Sequence, residues 1–299
     1  MKISICIPTY NRAQHLANCL NSINIAMGKV RKNFQVCVSD NCSTDDTSDI
    51  VHHAQKSMPI KYHRNKKNLG IPKNFIKVVN MADGEFVWLV GDDDILLPDS
   101  LTRLLLLINE NSTVDFFYVN AFHLDTNYVF SFKQPFNTRN LPINMQPFSK
   151  KNSSGELPFL DLIDPKISFD FLGGMFLSVF RRHLWIDNIN KLSSYALNDA
   201  RIFSHFDNTF PHIKIFANAF SNSAAYFNAP PLITCLTGAR EWAPMYPFVR
   251  SIRIIEALVE YRKSGLTFFK YYRCRNFALR SFLPDMVRIY ICKQESGLK

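Results

Sequence analysis

Three consecutive carboxylates, Asp92, Asp93 and Asp94, follow directly on the apolar run GEFVWLVG at 84–91. A buried strand that ends in three acids stacks like charges, and something positive must compensate them. Magnesium or manganese does so when one or two carboxylates share the ion with the oxygens of a diphosphate. The remaining acid is then left for a ribose or an orienting hydrogen bond. The plainer alternative is a helix cap with solvated acids.

Other donors lie upstream. Pro8-Thr9-Tyr10-Asn11-Arg12 closes the first apolar run and presents hydroxyl, amide and guanidinium groups at a helix start, suited to nucleotide or phosphate contacts. Turn chemistry also uses Pro and Asn. Asp40, at the tip of FQVCVSD, can accept from a base or ribose, or cap the next helix. His63-Arg64-Asn65-Lys66-Lys67-Asn68 adds positive charge, Asn68-Leu69-Gly70 turns the chain, and Lys73 and Asn74 follow. A phosphate clamp and a solvated surface cluster are equal alternatives there. His205 and His212 are spaced too loosely for a metal pair, and His52 and His53 point different ways on a helix, so these read as structural or exposed.

The elements that must position these groups alternate. Residues 2–8 read as a buried strand, and Leu16, Leu20 and Ile23 recur at helical spacing. Strands follow at 34–40, 60–64, 84–91 and 114–124, separated by helices, with Pro72 and Pro98 at helix starts. This is βαβ alternation and predicts a mostly parallel sheet flanked by helices. Ligands of such sheets bind outside the carboxyl ends of the strands, where Thr9 to Arg12, Asp40 and Asp92 to Asp94 all fall. From 125 to 168 the pattern dissolves into Asn, Pro, Ser and Lys, which reads as a long loop and a candidate lid. Residues 172–182 restore strand character, a helix begins near ALNDARIFSHF, and the remainder reads as helical with a break at Pro284.

At 299 residues and 47% hydrophobic content the chain can bury a full core. Seven scattered cysteines (Cys6, Cys19, Cys37, Cys42, Cys235, Cys274 and Cys292) lack zinc or disulfide spacing and read as reduced thiols. No run reaches the roughly 18 apolar residues of a spanning helix, and the start has no leader-like segment, which places the protein in the cytoplasm. Net charge is +10, and residues 240–299 carry 12 Lys or Arg against 5 Asp or Glu. That basic tail, with aromatics as in FFKYYRCRNFALRSFL, suits an anionic membrane surface, a pyrophosphate-bearing acceptor or nucleic acid; a plain solvated helical face is the alternative. No RNA or DNA module is recognisable, and nucleic acid would leave the four anterior motifs unexplained.

IPTYNR, VSDNCSTDDT, NLGIPKNF and DGEFVWLVGDDD, in that order, span residues up to 94, and together they resemble family 2 glycosyltransferases of the GT-A fold. The resemblance implies that Pro8, Thr9, Asn11 and Arg12 line a nucleotide-sugar site, with Asn68, Gly70 and Lys73 beside them. It implies that Asp40 meets the base and that the acidic run holds a divalent metal, Mn2+ or Mg2+, on the diphosphate. The family usually has Asp-x-Asp-Asp after the strand, whereas Gly91 stands first here. Asp93 then falls on the metal-ligand position with Asp94 beside it, and the ribose contact passes to Asp92 or to water. Within the family, these segments and the Leu172-Gly173-Gly174 stretch are similar to bacterial O-antigen abequosyltransferases.

Sugar transfer to a hydroxyl needs a base across the sugar from the metal. Asp199, in Asn198-Asp199 at an expected helix start, is the first candidate, with Asp170 and Glu241 behind it; a mere helix-start acid is the alternative for Asp199. The resulting expectation has three parts: a donor-binding half at 1–125, an acceptor-binding half at 126–240 and a helical basic tail at 241–299. The reaction would be inverting transfer from a nucleotide sugar to a lipid-linked saccharide in surface polysaccharide synthesis, at the inner face of the bacterial inner membrane. A catalytically silent nucleotide- or carbohydrate-binding scaffold of the same fold is the alternative.

Overall fold

The structure is a computed structural model and describes residues 3–239 and 242–291. The first strand, β1 (Ile3–Thr9), is buried along its whole length, and helix α1 (Ala13–Met27) packs Leu16, Leu20 and Ile23 beneath the sheet. The alternation continues through β2 (Phe34–Asp40), α2 (Thr47–Gln55), β3 (Ile60–Arg64), α3 (Ile71–Met81) and β4 (Phe86–Leu89). A short β5 (Ile95–Leu96), α4 (Ser100–Glu110), β6 (Phe116–Asp125) and α5 (Thr126–Phe130) complete the first part of the chain.

The second part carries β7 (Gln146–Pro147), β8 (Gly155–Pro158), β9 (Ser178–Arg181), α6 (Arg182–Asn188), α7 (Ser194–Asn198), α8 (Phe206–Thr209), α9 (Pro211–Ala219) and β10 (Ala224–Thr237). Four helices close the described chain: α10 (Tyr246–Phe248), α11 (Ile254–Lys263), α12 (Phe268–Ala278) and α13 (Phe282–Ile291).

One sheet runs through the molecule in the order β3-β2-β1-β4-β9-β6-β10-β5, with β7 on β6 and β8 on β10. The long pairings β1–β2, β2–β3 and β6–β10 are parallel, as is β1–β4, and the antiparallel pairings are short. Trp88, Phe116, Phe117, Tyr118 and Phe180 have no exposed surface and fill the centre of the core. Each such side chain contributes about 1.5–3 kcal/mol by leaving water.

Four expectations change. The stretch after the last expected strand is not all helical: β10 is a 14-residue strand beside β6. Pro230-Pro231 hides it in the sequence, but the prolines sit where the β6–β10 register shifts between Asn228 and Ile233, a break at which no ladder N–H is required. Residues 125–168 are not a free lid either. Val129 and Phe136 are buried against Ile95, Leu124 and Leu236, so this segment makes a small core of its own. Only Ser178–Arg181 of the expected 172–182 strand is extended, because Phe171 and Leu172 are left-handed, at φ 51° and 71°. Pro284 stands in the first turn of α13, where a missing N–H does no harm. Among the described residues the cysteines are free, all but Cys42 buried, and no helix is long and apolar enough to cross a membrane. Cys292 and Glu241 lie outside the described residues.

Candidate functional site

The strand order reverses between β1 and β4, so the segments that leave their carboxyl ends diverge and open a crevice. Thr9, Asp40 and Arg64 are register partners across β1, β2 and β3, and the acidic run leaves β4 on the other side of β1. Arg12 bridges the gap: Nε lies 3.4 Å from Asp92 Oδ1, and a terminal nitrogen donates to Asp93 Oδ2 at 3.1 Å and to the Ala239 carbonyl at 2.9 Å. Thr9 donates its hydroxyl to Asp92 Oδ2 at 2.8 Å. Burial nevertheless pushes the Asp92 carboxyl up to about 7, against the pull of Arg12, with the Asp93 charge adding to the rise. One guanidinium does not balance three stacked acids, and hard oxygen donors left with surplus negative charge fit a divalent cation of the magnesium or manganese type.

The acids are not equivalent. Asp93 stands at the rim, partly exposed, whereas Asp94 is 2% exposed and turns inward to accept from the Gly91 N–H at 2.9 Å. Gly91 is required by that turn, since a Cβ there would lie 2.8 Å from carboxylate oxygens of both Asp93 and Asp94. Gly91→Ala is expected to cost about 1–3 kcal/mol, the range for overpacking a filled site, and a urea titration checks it. Among the described residues no group of three His, Cys, Asp or Glu is placed to enclose a metal unaided. A divalent cation at this rim would need further oxygens from a bound ligand.

The nearby polar groups largely hold one another. Asn11, left-handed at φ 52°, accepts from the Thr44 N–H at 2.7 Å through its side chain, and its own N–H donates to Ser43 Oγ at 2.9 Å. Asp40 is 0% exposed: one oxygen accepts from the Ser43 N–H and the other from the Tyr62 hydroxyl, both at 2.8 Å. Pro8 is buried at the end of β1. Behind them runs an amide network that single-motif reading missed. Asn41 donates to Asn68 Oδ1 at 2.7 Å, Asn65 donates to Asn41 and Asn74, and Asn74 accepts from Ser39 at 2.7 Å. Asn68 also accepts from the Gly70 N–H, which fixes the entry to α3. The frequency of Asn in SDN, RNKKN and PKN was the available signal.

Lys73, on α3, donates to Asn198 at 2.5 Å and so ties the crevice to the end of α7. Asp199 is the C-cap of α7 and not a helix start; the chain is already extended there, at ψ 120°. Arg201 grips the carboxylate with its backbone N–H and guanidinium, at 2.6 Å for the shortest contact, and His205 Nε2 lies 3.1 Å away. The Arg201 hydrogen bonds hold Asp199 well below the usual carboxylate range.

Asp170 sits on a different support. Its carboxylate accepts from the Gly174 N–H at 2.8 Å and from the Ser168 hydroxyl, and a Cβ on Gly174 would press within 3.3 Å of it and 2.9 Å of Phe176. Four buried donors hold the loop around it by its carbonyls. Tyr118 donates to Ile167 and Tyr261 to Phe171; Trp88 donates to Phe176, and His212 lies within 3.2 Å of the Leu172 and Gly173 oxygens. Sequence reading set His212 aside and missed the other three, whose partners are main-chain atoms and leave no motif. Burial lowers His212 from its ordinary 6.5 to about 4. The unfolded chain therefore binds an extra proton between those values, and stability falls as pH drops from about 6.5 to about 4, by up to about 3 kcal/mol. Thermal unfolding against pH checks this, and His212→Gln should flatten the profile.

The Glycosyl transferase family 2 model matches residues 4–169. Abequosyltransferase RfbV of Salmonella typhimurium is 40% identical over 116 residues, 38% of this chain and 34% of its own. A Campylobacter jejuni enzyme named GalNAc(5)-diNAcBac-PP-undecaprenol beta-1,3-glucosyltransferase is 36% identical over 111 residues, 36% of this chain and 35% of its own. The matched region thus spans about a third of these curated relatives. Staphylococcus aureus TarS, residues 1–349 in complex with UDP, superposes with a TM-score of 0.62 at 20% identity over 95% of this chain and 72% of that one. A mannosyltransferase from Pyrobaculum calidifontis with GDP-Man and Mn2+ superposes at 0.57 and 13% identity, covering 98% of this chain and 75% of that one. The fold is that of the GT-A glycosyltransferases, and with the family model matching more than half of its length the chain belongs to glycosyl transferase family 2.

Proposed function

We propose that this protein transfers a sugar from a nucleoside diphosphate donor to a hydroxyl of a lipid-linked saccharide acceptor in bacterial surface polysaccharide synthesis. The observation that carries the reading is the meeting of Thr9, Arg12 and the three acids at the reversal of strand order. The names of the Salmonella and Campylobacter relatives support the acceptor class.

In this reading the donor half at 1–125 seats the nucleotide between Pro8 to Arg12 and the α3 entry, with Asn68, Gly70 and Lys73 along one wall. Asp40 and Asn11 act on the base side, by fixing the 40–45 turn against which the nucleotide packs. Asp92 orients the ribose. Asp93 would hold a divalent cation, with Asp94 setting the turn behind it, and the bound cation would supply positive charge to the diphosphate as the leaving group departs. Arg12, which reaches Asp92 and Asp93 across the same crevice, turns its guanidinium to the developing charge on the leaving diphosphate. Asp199 takes the proton of the attacking hydroxyl on the face opposite the leaving group, so the anomeric centre inverts. Asp170 positions the acceptor sugar from its clamped loop.

The acceptor half at 126–240 shares the sheet through β10, so the division is one of task. The tail at 241–299 meets the cytoplasmic face of the inner membrane. Phe269, Leu283 and Tyr290 are 85%, 74% and 75% exposed there, alongside Arg273, Arg280 and Arg288, a pairing of apolar and cationic groups that favours an anionic lipid interface.

Calorimetric titration with UDP, GDP, CDP and dTDP, each with and without manganese, tests the core of the reading. One nucleotide binding only with metal is the expected result. Failure of all four would leave only the catalytically silent carbohydrate-binding scaffold, and nucleotide binding with no turnover of any donor would favour its nucleotide-binding form.

A further inference from the structure

A second concave site lies away from the donor crevice. A cleft of about 1250 Å3 runs between the 148–169 segment and α12, and its lining includes Lys150, Lys151, Lys166, Lys270 and Arg273. Only two carboxylates line it, Asp161 and Asp164, and each is engaged: Lys270 bonds Asp161 at 2.8 Å and Arg273 bonds Asp164 at 3.1 Å. Lys150, Lys151 and Lys166 are left with no acidic partner among the described residues; Lys151 lies 4.8 Å over the Phe227 ring. Three uncompensated ammonium groups around one concavity raise the local concentration of anions.

The rest of the lining is apolar. Phe148 and Phe169 stack at 4.8 Å along one wall, and Phe269 and Phe277 of α12 line the other. Phe269 is also part of the exposed face of α12 and α13, so the cleft opens beside the surface assigned above to the membrane. At its inner side Ile167 and Phe169 belong to the clamped loop, and Asp170 is the next residue. A ligand in the cleft therefore has an apolar exit on one side and the loop bearing Asp170 on the other.

We propose that this cleft binds the diphosphate of a prenyl diphosphate-linked acceptor, with Lys150, Lys151 and Lys166 on the phosphate oxygens and the prenyl chain leaving over Phe269. Ammonium groups suit this task because they act as point charges on flexible stems and accommodate a diphosphate whose orientation varies. The inference rests on the acceptor class proposed above and adds the place where that acceptor is held. It differs from general membrane attraction in requiring a bound diphosphate inside the cleft.

The test uses farnesyl diphosphate, inorganic pyrophosphate and phosphatidylglycerol vesicles as probes on the full chain, with no nucleotide present. Farnesyl diphosphate should bind, and Lys150→Ala/Lys166→Ala should weaken it at least tenfold while leaving thermal unfolding and nucleoside diphosphate binding unchanged. Lys150→Arg/Lys166→Arg should restore most of the affinity. Inorganic pyrophosphate should bind more weakly at the same lysines. Binding of farnesyl diphosphate that survives the double alanine change, or that is lost on Arg12→Ala, overturns the proposal by placing the ligand in the donor crevice or nowhere specific. Vesicle binding lost in step with farnesyl diphosphate, and competing with it equally, overturns it in favour of a lipid surface. Because the donor is absent, the cleft can pass this test even if no nucleotide sugar binds, and can fail it while transfer activity stands.

Discussion

Asp93→Ala is expected to abolish cation-dependent nucleotide binding and to lower kcat/KM by about 10²–10³ or more, the scale on which single preorganised electrostatic contacts act. The magnitude follows from position. Asp94 is turned under its own loop to the Gly91 N–H, and Asp92 is engaged by the Thr9 hydroxyl and Arg12, so the rim carboxylate of Asp93 has no substitute. The alanine also frees Arg12 from one partner, and its guanidinium would close on Asp92 at 3.4 Å, drawing the positive charge away from the diphosphate. Asp93→Asn keeps the shape and separates the charge from the fold. It should bind nucleotide without the manganese effect and unfold at nearly the temperature of the original. Calorimetry with and without manganese, beside steady-state kinetics, checks both variants; a fully active alanine variant would remove Asp93 from the proposed chemistry.

The second large effect is at Asp199. Asp199→Asn should lower kcat by about 10²–10⁴ with nucleotide affinity unchanged, the range for loss of a positioned base. Asp170→Asn separates the two candidate carboxylates. Its oxygens accept from the Gly174 N–H and the Ser168 hydroxyl, so an amide there keeps the first bond only if Ser168 reverses to accept from its NH2, at a cost of about 0.5–1.5 kcal/mol of stability as well as activity. Asp199 accepts chiefly from Arg201, whose side chain is 75% exposed and can turn to water, so the amide costs little stability there. A kcat that falls in Asp170→Asn without any loss of stability, beside a fully active Asp199→Asn, would reverse the assignment.

The crevice at the strand ends was legible because its segments are local. Strand, turn and helix start follow one another within a few residues at Pro8 to Arg12, β4 runs straight into the acidic turn at Gly91 to Asp94, and the periodicity of Leu16, Leu20 and Ile23 announces the helix that backs them. Much of the acceptor side was illegible because its determinants are distant. β10 is a strand only because β6 receives it, and its two prolines are tolerated only because the register breaks there. Asp199 sits at the end of α7 instead of at a helix start because the hydroxyl of Ser193 caps the helix earlier, accepting from the Ala196 N–H. Asp40 shows a third case. Its type and place at a strand end were readable, and Ser43 stands in the same motif, while the capture of its second oxygen depends on Tyr62, on the next strand, which no motif links to it.

The loop that carries Asp170 has a consequence for synthesis of the chain. Its four clamps come from Trp88, Tyr118, His212 and Tyr261, on β4, β6, α9 and α11, and the Tyr261 and Trp88 contacts span 90 and 88 residues. A nascent chain folds in the order in which it emerges, so the strand ends that carry Thr9, Asp40 and the acidic run can come together while the loop is still untethered. Tyr261 closes the last clamp only when α11 has left the ribosome. The crevice and the loop proposed to position the acceptor would thus mature at different times, the loop only after residue 261 has been made.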